Sequence, residues 1–498
     1  MRHNRFMAPS MRSAHAAALC LALAAPVAAR AQEEVKVKSL AAPDYFSSPA
    51  AETGLPADLW KDTAPDILRD ILPKLAGGKP LSPAFASLAR RLLAAGANAP
   101  AAVGNDPEMG GARGLALIAL GEAKGANAIL DRAPGVAGSA GLSMALAEAA
   151  LIAGDDDKAC RAEEALTVDR GGPYWLRLRA FCQLRAGQAD AAQLTFQLVQ
   201  QQTPKGKEDA DYVRLMGAAL AGTAPGTASL KTGLDYALSR RLNLDIQSAS
   251  AIASASPALK PLLRPAAGDL AGVAPGADLT AAEASDIAFL RQAKTVPAFV
   301  EAAQASAASI AALAAAGAPL QDPVLLARAA VAAGDVASAQ AIRGRMVQDR
   351  VPGASPADLA ILDALIAAAS GKVDNQALGN LVARGAASGA RSPAQMAAGL
   401  LSSLGGTLDA DARAQFANFD LGRPAASAAR VQLIDDAAGA KRKGEAGLLA
   451  LSIALDAGPA GPQPVDRARI ARGLNRAGLT ADARAIVVEG LLGLAFTK

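Results

Sequence analysis

Histidine is nearly absent from this 498-residue chain, occurring only at His3 and His15, and aromatic residues make up 3% of it. Both histidines fall in an N-terminal stretch that reads as a leader. Arg2, Arg5 and Arg12 form a basic n-region, "AAALCLALAAPVAA" an apolar h-region, and Ala29–Ala31 a small-x-small cleavage site. The expectation is a secretory signal peptide over residues 1–31, cut after Ala31, that delivers a soluble protein to a Gram-negative periplasm. The apolar run is too short to cross a bilayer. Leu19 occupies the place before Cys20 where a lipoprotein signal needs a small residue.

Once the leader is removed, no histidine remains. Ser-His-Asp and Cys-His nucleophilic mechanisms are excluded, as is the usual histidine-based zinc site. Phosphate-binding and nucleophile motifs are also missing. "AGGKP" puts Pro80 where a P-loop needs a hydroxyl, no Gly-x-Gly-x-x-Gly follows a strand-like run, and neither Gly-x-Ser-x-Gly nor Ser-x-x-Lys occurs. No cofactor and no enzymatic activity are expected. Paired-carboxylate glycoside chemistry stays open on composition, because any two acids can converge in space.

Excess charge of one sign is missing too. The whole chain has 50 basic and 46 acidic residues, and the leader takes away four arginines and no acids, which leaves 46 against 46. That balance gives no footprint for nucleic acid. No apolar run beyond the leader is long and hydrophobic enough for a transmembrane helix. Hydrophobic residues nevertheless reach 52%. With so few aromatics, alanine and leucine carry that content, and a nearly all-helical chain is expected.

The helices repeat. Gly121, Gly154 and Gly187 recur every 33 residues, as do Gly114, Ala147 and Ala180 before them and Ala126, Ala159 and Ala192 after them. A period in the thirties signals stacked helical hairpins. A glycine closes the first helix in the left-handed conformation, and small residues let the two helices cross closely. Ala327, Gly334 and Ala339 keep the same offsets with Pro352 near the expected stop, Ala471, Gly478 and Ala483 keep them again, and Gly371 marks a looser copy.

Ala180, Ala192, Phe196 and Pro204 resemble the tetratricopeptide repeat, which has small residues on both helices, a later aromatic and a terminal proline. Gln183 and Glu163 depart from that pattern at aromatic positions. The resemblance implies an all-α, right-handed α-solenoid of degenerate hairpins whose surface binds proteins. It divides the chain into an extended or partly disordered lead-in at 32–59, an N-terminal array at 60–263, a Gly/Pro/Ala-rich joint with helices at 264–320, and a C-terminal array at 321–498. By analogy with such envelope proteins, the expected role is a non-enzymatic adaptor for protein partners of the cell envelope. The alternative is a cell-wall lytic enzyme, or its regulatory superhelical subunit. Against the enzyme, the catalytic Glu-Ser pair of helical lytic transglycosylases is absent.

Four groups of residues are candidates for more than packing. Cys160 and Cys182 fall on sequential helices of adjacent units, so an oxidising compartment favours a disulfide over two buried thiols. Tyr174 and Trp175 form the strongest aromatic pair; they either anchor a partner or pack between repeats. Asp155–Asp157 suit a helix N-terminus better than calcium, as do Asp409 and Asp411. The basic run Lys441–Lys443 reads as a solvated turn before a helix near Gly444.

Overall fold

The computed structural model describes residues 44–204, 206, 209–263, 279–349 and 355–496. The leader, the start of the lead-in, residues 264–278 of the joint and Pro352 lie outside the described residues. Helices are the only extended regular structure, and no strand occurs among the described residues. The fold is all-α.

Local chemistry explains where the helices begin and end. Proline occupies the first position of many of them, as at Pro65, Pro83, Pro107, Pro173 and Pro464. There its fixed φ fits the helix and its missing N–H loses no bond. Elsewhere a side chain accepts from the first turn. Asp155 accepts from the Lys158 amide and Asp409 from the Ala412 amide, the capping expected of both acidic clusters. The repeated glycines lie in the left-handed region, with φ of 87° at Gly121, 82° at Gly154 and 76° at Gly187. The loops thus turn at the predicted positions.

The small residues sit at the helix crossings. Ala147, Ala180, Ala126, Ala159 and Ala192 are all fully buried. At Gly114 a Cβ would come within 3.0 Å of the Ala145 methyl. A larger residue in these columns would push the hairpins apart. Phe196 is buried and tilts against Tyr212, with ring centroids 6.0 Å apart. Where the tetratricopeptide pattern has an aromatic, Glu163 is buried and takes the Arg179 guanidinium at 2.7 Å. Gln183 likewise accepts from the Thr195 hydroxyl at 2.7 Å. Polar pairs fill the two departures.

The N-terminal and C-terminal helices pack on one another. The described residues from Asp44 onward form one compact unit, and the first helical hairpin packs on the last ones. Pro65–Ala76 lies against Lys443–Ala457, and Pro83–Ala94 lies against both Lys443–Ala457 and Thr480–Gly493. Glutamates from the C-terminal helices cap the N-terminal ones: Glu445 accepts from the Ala64 amide at 3.1 Å and Glu489 from the Ala84 amide at 2.5 Å. Arg91 adds an ion pair to the buried Asp482 at 2.6 Å. In the second half of the expected joint, three helices, Leu279–Gln292, Val296–Ala305 and Ala307–Ala316, continue the packing. No single helix among the described residues is long and apolar enough to cross a membrane. The last two of these pass that test only as a pair bent by 63°, and Phe299, Ala303, Ile310 and Leu313 bury their apolar faces in the core.

The described part of the lead-in is anchored chain. Arg113, fully buried, donates to the carbonyls of Leu93 at 2.8 Å, Tyr45 at 2.6 Å, Ser48 at 2.9 Å and Ala95 at 3.1 Å. Its guanidinium also stacks over Phe46. Burial lowers its pKa to about 10, partly offset by Asp44, so it stays charged at neutral pH. A buried cation satisfied by carbonyls fixes the 44–50 segment to the end of Pro83–Ala94.

Candidate functional site

A groove of about 350 Å³ opens between Pro356–Ser370 and Asn375–Ala386, with contributions from Arg343 and Leu401. Its floor is apolar, built from Leu359, Ala360, Ala364, Ala367 and Leu381. Alanines there keep the helices close while leaving a trough that larger side chains would fill. The rim is polar. Arg343 grips Asp363 through two bonds, Nε–Oδ1 at 2.7 Å and a terminal nitrogen to Oδ2 at 2.9 Å. Arg384 is exposed on the same rim and has no carboxylate partner among the described residues. An apolar trough beside a guanidinium with no carboxylate partner among the described residues is suited to an apolar segment that carries a carboxylate.

A second concavity, of about 270 Å³, lies at the closure of the two ends. Asp58, Lys61 and Asp62 line one side, and Lys441–Lys443 the other. The run forms the exposed turn that leads into Lys443–Ala457, as expected. Lys441 has a left-handed φ of 58° and donates to the Arg476 carbonyl at 2.6 Å. Arg442 pairs with Glu445, and Lys443 opens the helix that meets the N-terminal hairpin. Asp58 and Asp62 face the run across this concavity.

Cys160 and Cys182 sit on Asp156–Ala165 and Pro173–Arg185, with their sulfurs at bonding distance, 2.00 Å, and their Cα atoms 5.6 Å apart. The bridge ties adjacent hairpins. Tyr174 and Trp175 stand edge-to-face with centroids 5.0 Å apart. Trp175 is only 1% exposed and belongs to a small core with Phe181, Phe196 and Tyr212. The indole is enclosed in that core, and Tyr174 is half-buried beside it.

Next to that pair is a buried acidic group. Glu148 reaches from Ala140–Ala153 to the Gly233 amide at 2.9 Å, the first residue of Gly233–Arg241. Burial raises its pKa, against the lowering effects of that amide and of Tyr174. The Tyr174 hydroxyl faces this carboxylate, and its own pKa is well raised by burial and by Glu148. Asp235, 1% exposed, lies two residues after Gly233, with its pKa pushed up to about 7 by burial first and by Asp209 next. No cluster of three or more metal-ligating side chains occurs among the described residues. Only "TGLD" hinted at this group, since Thr232 caps the helix and Asp235 falls at its third position. Asp156, in the first turn of its helix, also takes Arg185 at 3.2 Å and Arg240 at 2.6 Å. The chain matches no family model, no curated protein and no solved structure.

Proposed function

We propose that the protein is an exported, periplasmic scaffold, a right-handed solenoid of degenerate tetratricopeptide-like hairpins that binds protein partners of the cell envelope and carries out no reaction itself. The observation that carries this reading is the groove between Pro356–Ser370 and Asn375–Ala386, where an apolar floor meets the exposed Arg384. Helical repeats bind proteins through such inter-hairpin surfaces. The occupant is a partner segment with an apolar side chain for the floor and a carboxylate for Arg384. The joined cysteines agree with an oxidising compartment.

A photoreactive residue placed at Asn380 tests this in intact cells. Capture of a defined envelope protein, reduced at least about tenfold by Ala360→Arg, which fills the trough, is the expected result. Capture that Ala360→Arg leaves unchanged would remove the groove from the account. Release of muropeptides by the purified protein from peptidoglycan would replace the scaffold with a lytic enzyme.

A further inference from the structure

Two hydrophobic cores meet in this molecule, and two segments belong to both. On Ala140–Ala153, Leu142, Ala145 and Ala149 pack into the larger core, while Ala147, Ala150 and Leu151 pack into the smaller one around Trp175 and Phe181. The chain entering Gly233–Arg241 is divided in the same way. Leu230 belongs to the larger core, and Leu234 and Leu238 belong to the smaller. These two segments tie the hairpins between Asp156 and Ala221 to the rest of the protein.

Each segment carries one buried acid at the place where they touch. Glu148 reaches across to accept from the Gly233 amide at 2.9 Å, and Asp235 is buried two residues further on. The cations of the neighbouring elements are engaged elsewhere. Arg177 pairs with Asp209 at 3.2 Å, Arg214 and Lys231 pair with Asp211 at 3.1 Å and 2.6 Å, and Arg240 pairs with Asp156 at 2.6 Å. Arg241 donates to the Leu184 carbonyl at 3.4 Å. Neither Glu148 nor Asp235 has an ion-pair partner among the described residues. Asp209 and Asp211 add negative charge from the Ala210–Ala221 side, and the Tyr174 hydroxyl faces Glu148 from Pro173–Arg185. The Gly233 amide and the Thr232 side chain favour the charged forms, and burial outweighs them.

We propose that Glu148 and Asp235 make this junction a pH-controlled joint, closed while the pair holds a proton and loosened as both acids ionise. One charge here is met by the Gly233 amide. A second has no cation to meet it, and it gains hydration only if the start of Gly233–Arg241 moves away from Ala140–Ala153. Asp235 therefore stabilises the joint fully below its ordinary value of 3.8 and loses that contribution as pH rises through about 7. Glu148, also raised by burial, acts in the same direction.

Hydrogen exchange of the purified protein at pH 6 and pH 8, corrected for the intrinsic rate, reads the opening. Protection of the Gly233–Arg241 amides should fall about tenfold between the two values, the effect of one proton released over that range. Amides of Lys443–Ala457, far along the other core, should keep their protection. In Asp235→Asn the fall should shrink to less than about threefold, and Glu148→Gln, which removes the neighbouring charge, should also reduce it. The comparison of the two helices in the unaltered protein stands without either variant. Equal protection of Gly233–Arg241 at both pH values would overturn the proposal. So would a full tenfold fall in Asp235→Asn, or one that Lys443–Ala457 shares equally.

Discussion

Asp235→Asn should stabilise the protein, and by an amount that depends on pH. Asp235 is 1% exposed, and its pKa stands at about 7 against the usual 3.8. Burial is the largest cause, followed by the nearby Asp209, with Asp211 and Glu148 adding to it. The folded protein therefore holds a proton here that the unfolded chain has released between these two values. Stability from this group is fully present below pH 3.8, declines as pH rises, and is lost above pH 7. Roughly three pKa units at about 1.4 kcal/mol each set a ceiling of about 4 kcal/mol. Asparagine keeps the shape and an acceptor for the Ser229 hydroxyl, which reaches Oδ2 at 3.5 Å, and it cannot ionise. Urea unfolding of both proteins from pH 4 to pH 8 reads the difference directly. It should be near zero at pH 4 and grow to about 2–4 kcal/mol in favour of Asp235→Asn at pH 8. A difference that does not vary with pH, or a variant less stable at pH 8, would refute the burial of an ionising carboxyl at this site.

Other perturbations act on packing and on the closure of the chain. Breaking the Cys160–Cys182 bridge with Cys160→Ser and Cys182→Ser should cost about 3 kcal/mol for a loop of this length, seen as a lower urea midpoint. Glu489→Ala leaves Arg467 buried without its partner and uncaps Pro83–Ala94, so a loss of about 3–5 kcal/mol is expected in thermal unfolding. Gly111→Ala puts a methyl 2.4 Å from the Gly141 carbonyl carbon, a backbone atom that cannot swing aside. It should cost at least about 1–3 kcal/mol, whereas Gly187→Ala meets no neighbour and costs only the strain of a left-handed φ.

The helices could be read from the sequence because their signals are local. Proline at a helix start, glycine at its end and alanine at the crossing each act within one hairpin, and their 33-residue spacing revealed the register through Gly154 and Gly187. Closure of the molecule had no such signal. Ala84 and its cap Glu489 are 405 residues apart, and nothing beside either residue names the other. The same holds for Arg113, which reads as an ordinary surface arginine until four carbonyls converge on it. Trp175 shows the limit for aromatics, since a core residue and an exposed anchor look alike in sequence and only burial separates them. The groove was hidden for a related reason. Ala360 and Ala364 look like any helix-packing alanines, and the trough exists only because no bulky side chain from a neighbouring hairpin enters it.

The central claim is that this molecule acts by holding a partner in the groove beside Arg384. Calorimetric titration of the purified protein with the envelope protein captured at Asn380 tests it in isolation. The account predicts saturable binding that weakens at least about tenfold in Arg384→Glu while the thermal midpoint stays in place. Equal affinity in that variant, or conversion of the partner into a chemically altered product, would contradict it.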